Sequence, residues 1–150
     1  MPIAERLTAQ DVILDFPTDG KRDLLQTLAA TVAPEAGLPE TEILEALTSR
    51  EKLGSTALGR GVALPHARLT GMDRPVMRFL RLRRPIGYEA RDEEPVDLVI
   101  LVLWPEAEAD GFLPTLSEVC RSLRDPQVLR RLRSAATPEE VTTLLQAGEA

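Results

Sequence analysis

Leu24, Leu25, Leu28 and Val32 recur at steps of three and four, which predicts an amphipathic helix capped by Thr18 or Asp19 and closing between Pro34 and Gly37. A second helix is expected after Pro39, with Thr41 as N-cap, Ile43, Leu44 and Leu47 on one face and Gly54 as its stop. Other segments follow the two-residue period of strands or are continuously apolar. Val12 to Phe16 reads as an edge strand and Val62 to Leu64 as a short extended piece before Pro65. Val76 to Leu82 and Val96 to Leu103 read as longer strands. The second of these is almost wholly apolar and should be buried on both faces, with Trp104-Pro105 ending it.

The last third is helical in pattern. Asp110 is placed to cap a helix carrying Leu113, Leu116, Val119, Cys120 and Leu123; Pro126 starts another through Leu132; Thr137-Pro138-Glu139-Glu140 opens the last. The order of elements predicts the α/β class, a sandwich with a mixed β-sheet flanked by helices, rather than a strictly alternating doubly wound fold. One domain over residues 1–150 is expected from the length.

Composition narrows the function. The chain is 43% apolar and 28% charged, which suits a globular protein, and its net charge of −6 disfavours nucleic acid as a partner. A single cysteine, Cys120, points to a reducing compartment. The start lacks a basic end leading into an apolar stretch, and no run is long enough to span a bilayer. A cytoplasmic protein without membrane insertion is the expectation.

Residues 54 to 68, GSTALGRGVALPHAR, hold the only histidine, His66. Gly54 to Gly59 has the spacing of a phosphate-binding loop, yet Arg60-Gly61 follow where lysine and a hydroxyl residue are needed, and the segment follows a helix. No histidine and cysteine cluster suggests zinc. Imidazole itself is nucleophilic near neutral pH, and one suffices for a phosphoryl relay. Gly54, Gly59 and Gly61 would let the backbone approach a ligand, Ser55 and Thr56 offer hydroxyls, and Arg50 offers a guanidinium fork.

Arg50-Glu51, Gly54-Ser55-Thr56, Gly59, Gly61 and Leu64-Pro65-His66 together resemble the active-site signature of the fructose/mannitol-class enzyme IIA domains of the bacterial phosphoenolpyruvate:sugar phosphotransferase system, nitrogen-regulatory relatives included. Arg83-Arg84-Pro85-Ile86 and Glu94 to Val99 resemble the segments around that family's central strand. The resemblance implies a phospho-accepting His66 assisted by Arg50, with Gly54, Ser55 and Thr56 around the phosphoryl group and neither metal nor cofactor. It implies HPr or its nitrogen-branch counterpart as donor, and either a IIB domain or a regulated target protein as the next partner. A nitrogen-regulatory role is the preferred reading, with a sugar-specific IIA component as the alternative.

The family carries a second histidine where this chain has Phe112, in Phe112-Leu113-Pro114-Thr115-Leu116. Phe112 is therefore expected beside the pocket, where its ring cannot hydrogen-bond a phosphoryl oxygen. Elsewhere the default readings are a solvated basic face for Arg78, Arg81, Arg83 and Arg84, a solvated acidic loop for Glu106, Glu108 and Asp110, and a buried inert thiol for Cys120.

Overall fold

The continuous apolar run forms the hub of the sheet. In the computed structural model, which describes residues 6–149, Val96–Pro105 is strand β6, and Leu98 to Leu103 are completely buried. Along one side it pairs antiparallel with β5 (Val76–Ile86), and β1 (Val12–Phe16) lies parallel outside β5 as the expected edge strand. Along its other side run two short parallel strands in succession, β3 (Val62–Ala63) and β4 (His66–Leu69), with β2 (Ala57–Gly59) antiparallel to β3. The order is β1-β5-β6-β3-β2, with β4 also against β6.

Because successive strand residues face opposite sides, β6 supplies two cores. Val99, Leu101 and Leu103 pack under α1 (Lys21–Ala36) and α2 (Glu40–Lys52). Leu98, Ile100, Val102 and Trp104 pack under α3 (Phe112–Ser122), α4 (Pro126–Ser134) and α5 (Pro138–Glu149). Each buried aliphatic side chain is worth about 1.5–3 kcal/mol, which makes β6 the element the fold can least lose. The expected α/β sandwich with a mixed sheet and helices on its faces is the observed architecture.

Several boundaries differ from the sequence expectation. Strands β2 and β4 were not expected, and β5 continues past Leu82 to Ile86, tolerating Pro85 because its register with β6 breaks between Arg81 and Ile86. Neither Thr18 nor Asp19 caps α1; Gly20 takes that position, and the Asp23 carboxylate reaches back to the Thr18 hydroxyl and the Asp19 N–H. Pro39, not Thr41, precedes α2, which ends at Lys52, two residues before Gly54.

Asp110 lies inside a 3-10 turn (Glu106–Gly111), and Gly111 precedes α3 without a side-chain cap. A Cβ at Gly111 would stand 2.6 Å from Trp104, so this turn is seated on the indole, whose Nε1 donates to Glu108 O at 2.7 Å. That seating rotates α3 so that Phe112, Thr115 and Val119 face inward while Leu113 is 70% exposed. Cys120 is only half-buried, and burial raises its thiol pKa.

Arg83 and Arg84 of the basic cluster are exposed, as a solvated face requires, but Arg78 and Arg81 are not. Arg78 pairs with Asp11 and Glu35, Arg83 pairs with Asp15, and Arg81 donates to Leu132 O and Ala135 O at the end of α4. Among the described residues no helix is long and apolar enough to cross a membrane. The first five residues, on which the reading of the chain's start partly rests, lie outside the described ones.

Candidate functional site

A break in the strand beside β6 fixes the histidine. Pro65 has no N–H for the ladder and holds Leu64 extended, so pairing lapses between Ala63 and His66. The Leu64 N–H turns to Thr56 O, and Val102 donates to Pro65 O at 3.0 Å. The Leu64 carbonyl is left to the imidazole, with His66 Nδ1 at 2.7 Å. A carbonyl only accepts, so Nδ1 carries the proton and Nε2 the lone pair.

Arg50 meets that lone pair. It lies in the last turn of α2, and its Nε donates to His66 Nε2 at 3.2 Å while Nη1 donates to Gly54 O at 3.0 Å. Gly54 turns the chain with φ +146°, a backbone setting that favours glycine. Burial pushes the His66 pKa below its ordinary 6.5; the Leu64 carbonyl pulls it upward, Arg50 pushes it down and the Glu51 charge pulls it up. The ring is therefore neutral at physiological pH, with a nucleophilic nitrogen held against a guanidinium.

The two hydroxyls read as phosphoryl donors are engaged elsewhere. Ser55 donates to Tyr88 O at 2.6 Å, and the buried Thr56 donates to the Glu51 carboxylate. Gly59 and Gly61 flank Arg60 in the β2–β3 turn; a Cβ at Gly61 would stand 3.1 Å from Asp97 Oδ1, so their role is to let this turn close. Gly54 contributes its carbonyl to Arg50 and lies next to the site.

Glu51 organises what the hydroxyls do. Its Oε1 accepts from the Thr56 N–H at 3.1 Å and from Lys21 Nζ at 3.0 Å, and its Oε2 accepts from Tyr88 OH at 3.0 Å and from Thr56 Oγ1. Burial alone would raise the Glu51 pKa, but the Thr56 and Lys21 contacts hold it below 4.5. Tyr88 is held far above 10 by burial and by the Glu51 charge. The network ties the end of α2, and so Arg50, to the segment leading into β2. Glu51→Gln should cost about 1.5–3 kcal/mol, because an amide cannot accept every bond that the carboxylate accepts, while Lys21 keeps its ion pair to Glu89 at 2.7 Å. A urea melt checks this, and an unchanged midpoint would make the network dispensable.

The Phe112 ring packs beside the imidazole, as expected, with centroids 5.8 Å apart, and it rests in turn near Trp104 at 6.1 Å. Arg50, Leu53, His66, Arg68, Glu106 and Phe112 line an open depression of about 410 Å³. A roomier groove of about 630 Å³ lies between α1 and α2 against Lys21 and Glu51, away from the imidazole. Glu106 accepts from Thr70 at 2.9 Å, and among the described residues no group of three or more histidine, cysteine or acidic side chains is arranged to hold a metal ion.

The sequence reading gave no role to Glu51, although the Arg50-Glu51 pair stood in the motif, and none to Lys21, Tyr88 or Arg68 as neighbours of the site. Arg68 was findable: once His66 is placed on a strand, the residue two further on shares its face.

An open mixed sheet between two helical layers holds one neutral imidazole at a strand break against an arginine, an arrangement that leaves an unprotonated ring nitrogen as a candidate nucleophile. The chain belongs to the family described as "Phosphoenolpyruvate-dependent sugar phosphotransferase system, EIIA 2", which matches residues 5–148. It is similar to the nitrogen regulatory protein of Bradyrhizobium diazoefficiens, 37% identical over 145 residues, covering 97% of this chain and 95% of that one. The nitrogen regulatory protein of Pseudomonas aeruginosa is 40% identical over 136 residues, covering 89% and 87% respectively. Among solved structures, the nitrogen regulatory protein IIA-Ntr of Neisseria meningitidis superposes with a TM-score of 0.91 at 34% identity, covering 95% of this chain and 98% of that one.

Proposed function

We infer that this protein is a histidine phosphocarrier of the nitrogen-regulatory type, which takes a phosphoryl group from HPr or its nitrogen-branch counterpart onto Nε2 of His66. The observation that carries this reading is the fixed tautomer: Nδ1–H is committed to Leu64 O, so the free lone pair is on Nε2, at the depression and facing Arg50. In the step, the Nε2 lone pair forms a bond to phosphorus while the bond from phosphorus to the donor's imidazole breaks, its electron pair staying on the donor ring. Positive charge grows on the His66 ring and is met by the Leu64 carbonyl at Nδ1–H. Arg50 gives up its bond to Nε2 and turns its N–H groups to the phosphoryl oxygens.

Similarity to nitrogen regulatory proteins over nearly the whole of both chains favours the regulatory branch over sugar transport. Phosphorylation then gates binding to a target protein. The test is reconstitution with phosphoenolpyruvate, enzyme I and HPr, followed by intact-mass measurement. One acid-labile phosphoryl group per chain is expected, and it should stay on this chain when a fructose- or mannitol-type IIB domain is added. Rapid passage to that IIB domain would move the protein to the transport branch.

The lowered pKa of His66 sets a pH dependence. Attack needs the neutral ring, so the transfer rate should hold steady as pH falls through 6.5 and decline only below it. Folding stability follows with the same sign. The unfolded chain binds the proton more readily than the folded one, so the contribution of His66 is present above its unfolded pKa and is lost as pH falls through the folded value. A pH-rate profile with its acid limb at or above 6.5 would contradict the neutral, half-buried imidazole.

A further inference from the structure

We propose that Arg68 is a second phosphoryl-binding residue, supplying to the group on His66 the polar contact that Phe112 cannot make. The inference rests on the reading of His66 as phospho-acceptor.

Strand geometry places the two side chains together. In β4 Ala67 and Leu69 point into the core under α1 and α2, so His66 and Arg68 both point the other way, with Cα atoms about 7 Å apart along the strand. Phe112 lies between them as a common platform. Its ring centroid is 5.8 Å from that of His66, and the Arg68 guanidinium carbon is 5.8 Å from the same ring. A guanidinium resting on an aromatic face keeps its N–H edge free for an anion.

Charge points the same way. Among the described residues neither Arg50 nor Arg68 forms an ion pair. Two guanidinium groups that form no ion pair border one depression in a protein of net charge −6. Glu106, which also lines it, has its Oε2 turned to the Thr70 hydroxyl. With two guanidinium groups and one carboxylate at its border the hollow carries a net positive charge, which favours an anion, and a phosphoryl group on Nε2 is such an anion. Phe112 is thus the seat of the second cation as well as an apolar wall.

The test compares wild type, Arg68→Gln and Arg68→Lys, each phosphorylated by HPr and then isolated. For Arg68→Gln the maximal single-turnover rate at saturating donor should fall by about ten- to a hundredfold, the loss expected for one charge-assisted hydrogen bond. In the isolated phosphoprotein, with no partner present, phosphorus NMR should show the phosphoryl group of Arg68→Gln titrating at higher pH than in wild type. Arg68→Lys should restore most of the titration shift but only part of the rate. If only the half-saturating donor concentration rises, Arg68 is a docking residue and the proposal fails; it fails equally if rate and titration are unchanged. A wild-type chain that takes no phosphoryl group overturns the reading of His66 itself, a result distinct from either.

Discussion

His66→Gln should abolish phosphorylation while leaving the fold in place. Glutamine is of similar length and its amide can still donate near Leu64 O, but it has no nucleophilic nitrogen, so the covalent route disappears rather than slowing. Labelling by HPr should drop by more than about a thousandfold, to the background of the assay. The stability cost should stay within about 2 kcal/mol, since the lost contacts are two hydrogen bonds at a half-buried position. Intact mass after reconstitution, beside a thermal melt, measures both. No second histidine exists in the chain to take over, so a variant still labelled with an acid-labile group would remove His66 from the mechanism.

The second large effect belongs to Arg50. Its Nε now occupies the lone pair that must attack phosphorus, so the side chain has to exchange one bond for others as the group arrives. A guanidinium does this well: the planar fork that gives one N–H to Nε2 and another to Gly54 O can present two parallel donors to a phosphoryl group. Arg50→Lys keeps the charge at the end of α2, where it favours the helix dipole, and loses the fork. Single-turnover transfer should slow by about ten- to a hundredfold with an unchanged melting point. The acid limb of the pH profile should stay in place, because the charge through which Arg50 holds the His66 pKa down is retained. Unchanged kinetics would reduce Arg50 to a residue that closes the helix.

These two side chains differ from Ser55 and Thr56 in a way that bears on the whole site. All four stand within one stretch of seventeen residues from Arg50 to His66, and all were chemically plausible ligands of a phosphoryl group. Of the four, only His66 and Arg50 line the depression. The two hydroxyls are spent on Tyr88 O and on Glu51, partners that lie 33 and 5 residues away in sequence. In this arrangement their bonds hold the segment between α2 and β2 in place.

What the sequence determined by itself is what local periodicity and residue chemistry encode. A run such as Val96 to Leu103 offers water only Asp97, and its β-branched residues suit a strand buried on both sides, which is what it becomes. Leu24, Leu25, Leu28 and Val32 lie on one stripe whatever packs against them, so α1 was legible. The lone imidazole after Leu64-Pro65, in reach of an arginine and within a recognisable motif, pointed to the site before any geometry was known.

What only the tertiary structure decided depends on competition among partners distant in sequence. Strand β4 is four residues long and becomes a strand because β6 offers it a ladder, not through its own pattern. The phase of α3, which buries Phe112 and exposes Leu113, was set by the seating of Gly111 on Trp104. Arg78 and Arg81 looked like surface charge until Asp11, Glu35 and the end of α4 came within reach. Arg68 became a neighbour of His66 only when both were found on one face of β4. A side chain's donors and acceptors go to whichever partner the fold brings nearest, and sequence spacing fixes that partner only within a turn or two of chain.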